Sequence, residues 1–206
     1  YSAQKHLMLI GNVFLLALGA IALSKLAGHF GLIDAARSEA IGDWLTVPFL
    51  GAQERASRAA WREVVRQLNE HGAAARDVGL RIAYHNHDFE FASIDGATLF
   101  ETLLGETDPA LVDFQLDVYW AFRAGHDPLA LLAAHPGRFT MLHLKDSQGP
   151  PQHVMSDVGG GVIDFGAILR RAPALGVRHA FVEHDRPADP LASIRNSFSH
   201  LAALQH

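Results

Sequence analysis

From residue 41 onward the chain alternates short apolar runs with longer stretches in which apolar residues recur every three or four positions. Leu45-Thr46-Val47-Pro48-Phe49-Leu50 is the first run and reads as a strand. Across 54–78, Trp61, Val64, Val65 and Leu68 fall at helical spacing, with Arg58, Arg62, Arg66 and Glu70 on another side. That pattern predicts an amphipathic helix, and Gly79 is its natural stop. The next predicted elements are a strand at 81–87, a helix at 97–104 and a strand at 111–119. Asp127-Pro128 opens a helix through Ala134, and a strand follows at 139–145. After the loop holding Pro150-Pro151 and Gly159-Gly160-Gly161 come a helix at 164–175, a strand at 179–184 and a helix at 190–204. Strands and helices alternating at intervals of roughly 30 residues are the rhythm of a parallel sheet. An open doubly wound sheet and a (β/α)8 barrel both fit it. The glycines at 159–161 do not form a dinucleotide fingerprint, and they follow no strand directly.

The first 40 residues break this rhythm. Leu7 to Leu23 is 17 residues without a charge, with Asn12 its one strongly polar position. By length it fits either a buried helix or a short membrane-like segment.

Composition narrows the chemistry. Apolar residues make up 49% of the 206 and charged residues 19%, so the chain is neither disordered nor fibrous. Lys+Arg number 17 against 22 for Asp+Glu, which leaves no basic excess for a nucleic-acid backbone. There is no cysteine, so thiolate nucleophiles, disulfides and zinc–thiolate sites are excluded. A metal would have to be held by nitrogen and oxygen, and the 13 histidines and 22 carboxylates can supply both. Lysine occurs three times, at Lys5, Lys25 and Lys145, which makes the last conspicuous.

Active sites on parallel sheets sit at the C-terminal ends of the strands. Here those ends read YHNHDFEF at 84–91, QLDVYW at 115–120, LHLKD at 142–146 and VEHD at 182–185. One such polar residue could be a helix cap; four successive strands ending in His, Asp or Glu call for a shared partner, and a divalent cation is the natural one. Period-two geometry puts His85 with His87, Gln115 with Asp117, His143 with Lys145, and Glu183 with Phe181 and Asp185. If these faces turn into a barrel, Asp117, His143 and Glu183 converge with a ligand from 85–90. A mixed carboxylate–imidazole set suits Mn, Mg, Co or Zn, with positions left open for substrate.

YHNHDFEF, QLDVYW followed by AGHDP, LHLKD, GGGVIDF and FVEHD together resemble the sugar phosphate isomerase/epimerase family, with its xylose isomerase-like TIM barrel. The resemblance runs from about Ile41 to the C-terminus. It implies an α/β fold of the TIM (β/α)8 type in which strands four to eight are clear. It also implies a metal held by one residue from each of four strands: Asp117, His143 and Glu183, with His87 or Glu90 fourth and His85 next. Where related epimerases carry a Glu, this chain has His85-Asn86-His87. The implied reaction is proton transfer beside a sugar carbonyl, giving epimerisation or aldose–ketose isomerisation. Glu183 is the candidate base, Lys145 the group that holds a substrate oxygen, and His85 a further catalytic candidate. Asn86 and Trp120, with Lys145, are candidates for contacting a small-molecule sugar, Trp120 and Phe122 by stacking. The glycine loop is expected to cover the site.

Two other readings stand beside this one: an inosose-type dehydratase on the same scaffold, and a non-catalytic sugar- or metal-binding remnant. A complete barrel needs more strands before Tyr84 than 83 residues of this pattern supply. The expectation is therefore two regions. Residues 1–40 form an apolar or altered segment, with a helix at roughly 5–26 lying against an incomplete barrel, and residues 41–206 form the C-terminal part of that barrel. Self-association as a homodimer, a cytoplasmic location, no nucleic acid and no membrane complete it.

Overall fold

The computed structural model describes residues 44–204. The apolar run Leu7–Leu23 and the helix expected around it lie outside those residues. The described residues belong to the unit Thr46–His206 and to the strand that leads into it.

Five strands make one sheet in sequential order: β1 (Trp44–Val47), β2 (Arg81–His85), β3 (Val112–Asp117), β4 (Phe139–Leu144) and β5 (His179–Val182). The pairs β2/β3, β3/β4 and β4/β5 are parallel. Between them run α1 (Arg58–Asp77), α2 (Leu99–Glu106), α3 (Val118–Arg123), α4 (Pro128–Ala134) and α5 (Phe165–Arg171), with α6 (Pro190–Ala203) last. The sheet curls into a parallel half-barrel, an incomplete α/β barrel of the kind the strand–helix rhythm predicts.

Local chemistry sets the element ends. Ser57 starts α1 by accepting from the Ala60 N–H at 3.2 Å. Trp61, Val64, Val65 and Leu68 are the buried stripe of α1, as their spacing predicts, and the helix packs on α2 and β2. Each such side chain contributes about 1.5–3 kcal/mol when fully buried. Thr98 and Glu101 form a reciprocal capping box that starts α2. The strand expected to run to Tyr119 stops at Asp117, because the Asp117 Oδ1 accepts from the Trp120 N–H at 3.0 Å and turns the chain into α3. The helix expected over 164–175 stops at Arg171 and continues as a 3-10 turn, Pro173–Leu175, since Pro173 has no N–H to give.

The sheet has an apolar face and a polar face. Ile82 and Tyr84 of β2, Val112, Phe114 and Leu116 of β3, and Leu142 and Leu144 of β4 share one parity and are buried. The other parity carries Arg81 and His85, Asp113, Gln115 and Asp117, then Met141 and His143. Register keeps them abreast, His85 beside Gln115 and Asp117 beside His143. An irregularity between Phe114 and Gln115 is needed for this: Phe114 pairs with Phe139, but Gln115 already pairs with Met141. Low on the polar face, Arg81 and Asp113 form an ion pair, with Arg81 Nη2 2.9 Å from Asp113 Oδ1. β5 is the outermost strand opposite β1, and its Phe181 and Val182 are exposed, as are Leu191, Ile194 and Phe198 of α6. Among the described residues no helix is long and apolar enough to cross a membrane.

Candidate metal centre

The polar face ends in a cluster. His85, Asp117 and His143, from β2, β3 and β4, each offer a ligand atom, and these atoms all lie within 4.8 Å of one another. Asp117 Oδ2 is 3.6 Å from His85 Nε2 and 3.9 Å from His143 Nδ1. Glu183, just past β5, brings its Oε2 to 2.9 Å from the same His143 nitrogen. Lys145 puts its Nζ 3.2 Å from Asp117 Oδ2, 2.8 Å from Glu183 Oε2 and 2.9 Å from Asp185 Oδ1.

Each member is held by its own strand end. His85 Nδ1 lies 3.0 Å from the Gln115 amide oxygen across the β2/β3 pairing, which keeps the proton on Nδ1 and leaves the Nε2 lone pair facing Asp117. Asp117 divides its carboxylate: Oδ1 caps α3, while buried Oδ2 faces the Lys145 ammonium and the two imidazoles. Asn86 ties β2 to β3, its Oδ1 accepting from the Asp117 N–H at 2.9 Å.

The electrostatics favour neutral imidazoles. Burial, helped by His143, His87 and Lys145, lowers the His85 pKa to about 3, and burial and Lys145 lower His87 to about 4. His143 is also lowered, by burial working against Glu183. Burial raises Asp117 to about 7 despite the nearby Lys145 ammonium. Burial by itself would lower Lys145, but Asp117, Glu183 and Asp185 outweigh it and hold its pKa above the usual value. A neutral imidazole can turn a nitrogen lone pair toward a cation, and the carboxylate oxygens beside these rings carry the matching negative charge. Two imidazole nitrogens and the buried Asp117 Oδ2, which Lys145 approaches at 3.2 Å, are a donor set that fits a divalent ion of the Mn, Mg, Co or Zn type.

Several expected members stand elsewhere. Glu90, expected as a ligand, is fully buried away from the cluster. Its Oε1 accepts from the Tyr84 hydroxyl and its Oε2 from the His87 N–H, both at 2.7 Å. Glu90 is a brace for the turn after β2, because a short 3-10 turn, Phe89–Phe91, folds it back under the strand. Asn86, expected to touch substrate, is 2% exposed, and its amide serves Asp117 and the His87 carbonyl. His87 stays outside the three-residue group. Its ring lies on Phe89 at 5.4 Å and near Trp120 at 5.3 Å, and Phe49 stands edge-on at 5.3 Å. Trp120 Nε1 and His87 Nδ1 are buried without partners. Together these rings make an aromatic wall beside the cluster.

Sequence reasoning gave no role to Gln115, Asp146 or Asp185. Asp185 shares parity with Glu183, which was its one available signal. Asp146 is fully buried, and its carboxylate accepts from the N–H groups of Ser147, Gly159, Gly161 and Ile163 at 2.7–3.2 Å. The glycine loop, expected as a cover, is bolted to the end of β4 by these bonds and to α6 by the bond from the Val158 N–H to Ser197 Oγ. A separate cavity of 590 Å³, lined among others by Phe122, Leu129, His153 and Ile163, contains none of the cluster.

A family model described as the xylose isomerase-like TIM barrel matches residues 32–204. An inosose dehydratase from Bacillus anthracis is 28% identical over 115 residues, which are 56% of this chain and 38% of that protein. A sugar phosphate isomerase/epimerase from Parabacteroides distasonis superimposes with a TM-score of 0.67 at 27% identity, over 77% of this chain and 57% of that one. A xylose isomerase-like TIM barrel protein from Mycobacterium smegmatis, in complex with magnesium, gives a TM-score of 0.58 over 91% of this chain and 66% of its own. At 17% identity that last likeness is one of fold. The chain thus spans well under two thirds of the inosose dehydratase it matches.

Proposed function

The chain belongs to the xylose isomerase-like TIM barrel family, and from that premise we propose that it carries the metal-binding, proton-transferring half of a sugar isomerase or epimerase. The observation behind this is the convergence of His85, Asp117, His143, Glu183 and Lys145 at four successive strand ends. His85, Asp117 and His143, with Glu183 as the fourth, would hold a divalent cation. When bound, such an ion supplies Lewis-acid polarisation of a substrate carbonyl.

The chain's own groups do the rest. Glu183 is the half-exposed carboxylate of the cluster, with 44% of its side chain open, so it is the base that can reach a substrate carbon. Lys145, kept charged by three carboxylates, donates to the substrate oxygen that gains negative charge. His85, bonded to Gln115 and pushed to a low pKa, serves as a ligand rather than as a proton carrier. Trp120 and His87 give the apolar face of a sugar a ring to lie on.

A second reading, dehydration of a keto-inositol, is favoured by the kinship with inosose dehydratase. Both reactions begin with the same proton abstraction. Incubating the protein with a panel of keto-sugars and a keto-inositol in D2O, with added Mn²⁺ or Mg²⁺, tests both. The expected result is deuterium at the carbon beside the carbonyl, with an epimer or isomer as product. A dehydrated product supports the second reading instead. Binding without any exchange would leave a non-catalytic remnant.

A further inference from the structure

We propose that Lys145 is an internal cation that competes with the metal for Asp117 and Glu183, and that Asp185 is the positioning residue that receives it when the metal enters. This rests on the metal-centre reading above.

Asp117 Oδ2 is the cluster oxygen that faces both His85 and His143, and it is also one of the three oxygens around the Lys145 ammonium. Glu183 Oε2 is shared in the same way between His143 Nδ1 and Lys145 Nζ. One oxygen can approach two cations, but the two cations then repel each other at close range, and Lys145, 3% exposed, has little water to screen it. Asp185 Oδ1 is different: within the cluster it contacts Lys145 alone. Its backbone is tethered as well, the Asp185 N–H donating to Met155 Sδ at 3.3 Å, which holds the carboxylate at the rim. With the metal drawing on Asp117 and Glu183, the ammonium keeps one counter-charge, and that is Asp185. A substitution at 185 should therefore weaken metal binding although Asp185 is not a ligand, and a substitution that removes the ammonium should strengthen it.

The test is Zn²⁺ affinity, measured by competition with a chelating dye and without any substrate. Lys145→Met should tighten binding tenfold or more, and Asp185→Asn should weaken it about tenfold. In the double variant the Asp185→Asn effect should shrink to less than threefold, because there is no longer an ammonium to receive. Unchanged or weaker binding by Lys145→Met, or an equal Asp185→Asn effect in both backgrounds, overturns the proposal and leaves the metal centre standing. If neither the unsubstituted protein nor Lys145→Met binds Zn²⁺, the metal-centre reading itself fails, and this inference with it. Should Lys145→Met not fold, the unsubstituted protein decides. With three lysines in the chain, ¹⁵N-lysine labelling gives three ammonium signals, which Lys5→Arg and Lys25→Arg assign. The Lys145 signal must shift on Zn²⁺ addition and must shift differently in Asp185→Asn; a Lys145 signal indifferent to saturating Zn²⁺ overturns the proposal.

Discussion

Gly161 and Asp146 are packed so closely that position 161 has no room for a side chain. The Gly161 N–H donates to Asp146 Oδ2 at 3.0 Å, and a Cβ there would come within 2.3 Å of both Asp146 Oδ1 and the Ser147 carbonyl oxygen. One of those obstacles is backbone, so the loop must move away from the buried carboxylate. Gly161→Ala should therefore lose about 1–3 kcal/mol of stability in urea unfolding. Gly105 is the control. It lies inside α2 with nothing within 4 Å of its would-be Cβ, so Gly105→Ala should gain about 0.5–1 kcal/mol. Equal effects at the two positions would mean that the loop is not bolted in solution.

Glu90 makes stability depend on pH. Burial raises its pKa from 4.5 to about 7, against the hydrogen bonds from Tyr84 and the His87 N–H that pull it down. The folded state thus keeps a proton that the unfolded chain has already released. The stability this supplies is full below pH 4.5 and is lost as the pH climbs through about 7. The whole span corresponds to about 3 kcal/mol. Gln cannot ionise, so Glu90→Gln should gain on the unsubstituted protein by about 2 kcal/mol between about pH 5 and about pH 8. Unfolding is to be followed in chelator so that metal does not contribute. A constant difference across that range would place the Glu90 carboxyl in water.

Parity made most of the cluster legible before the structure. His85, Asp117, His143, Lys145 and Glu183 each sit at or just past a strand end, and counting by two puts them on common faces whatever the details of the sheet. What parity could not show was register. Asp117 stands beside His143 only because the ladder slips between Phe114 and Gln115, and nothing in VDFQLD announces that slip. Glu90 and Asn86 take partners that the sequence does not announce, for a related reason. Both lie in the turn after β2, where period two no longer applies, and a buried tyrosine hydroxyl and a neighbouring strand's N–H claimed them. Asp185 was visible by parity but had no partner until Lys145 was seen to lean toward it. Among the helices, the long stripe of α1 is plain in the sequence, while Val118 and Tyr119, which open α3, read as the end of a strand because both residue types favour one; the Asp117 cap overrides it.

Metal removal should be felt by the fold. A ligand that binds the folded state alone stabilises it by about 2.7 kcal/mol at a free concentration one hundred times its dissociation constant. Thermal unfolding with Zn²⁺ or Mn²⁺, compared with unfolding in excess chelator, should show a rise of that order. Asp117→Asn removes the buried oxygen that faces both imidazoles, so in that variant the metal should no longer raise the unfolding temperature. His143→Ala should do the same, whereas His135→Ala, at the end of α4, should behave like the unsubstituted chain. A metal-dependent rise that survives Asp117→Asn would put the ion somewhere else.

The sharpest prediction concerns Glu183, because its two neighbours make separate demands on it. As a ligand neighbour it needs only an oxygen near His143 Nδ1; as a base it needs a negative charge that can accept a proton. Gln keeps the first and removes the second. Glu183→Gln should therefore lower turnover on a responsive keto-sugar by about 10²–10⁴-fold, the usual scale for a lost general base, with KM moving far less. Solvent deuterium uptake should fall by the same factor, since exchange reports proton abstraction directly. Glu183→Ala should lose both turnover and metal affinity. If Glu183→Gln instead retains exchange and loses metal, Glu183 is a ligand alone. The proton must then be taken by another group on the polar face, with Asp185 the carboxylate nearest Lys145 that would remain to take it.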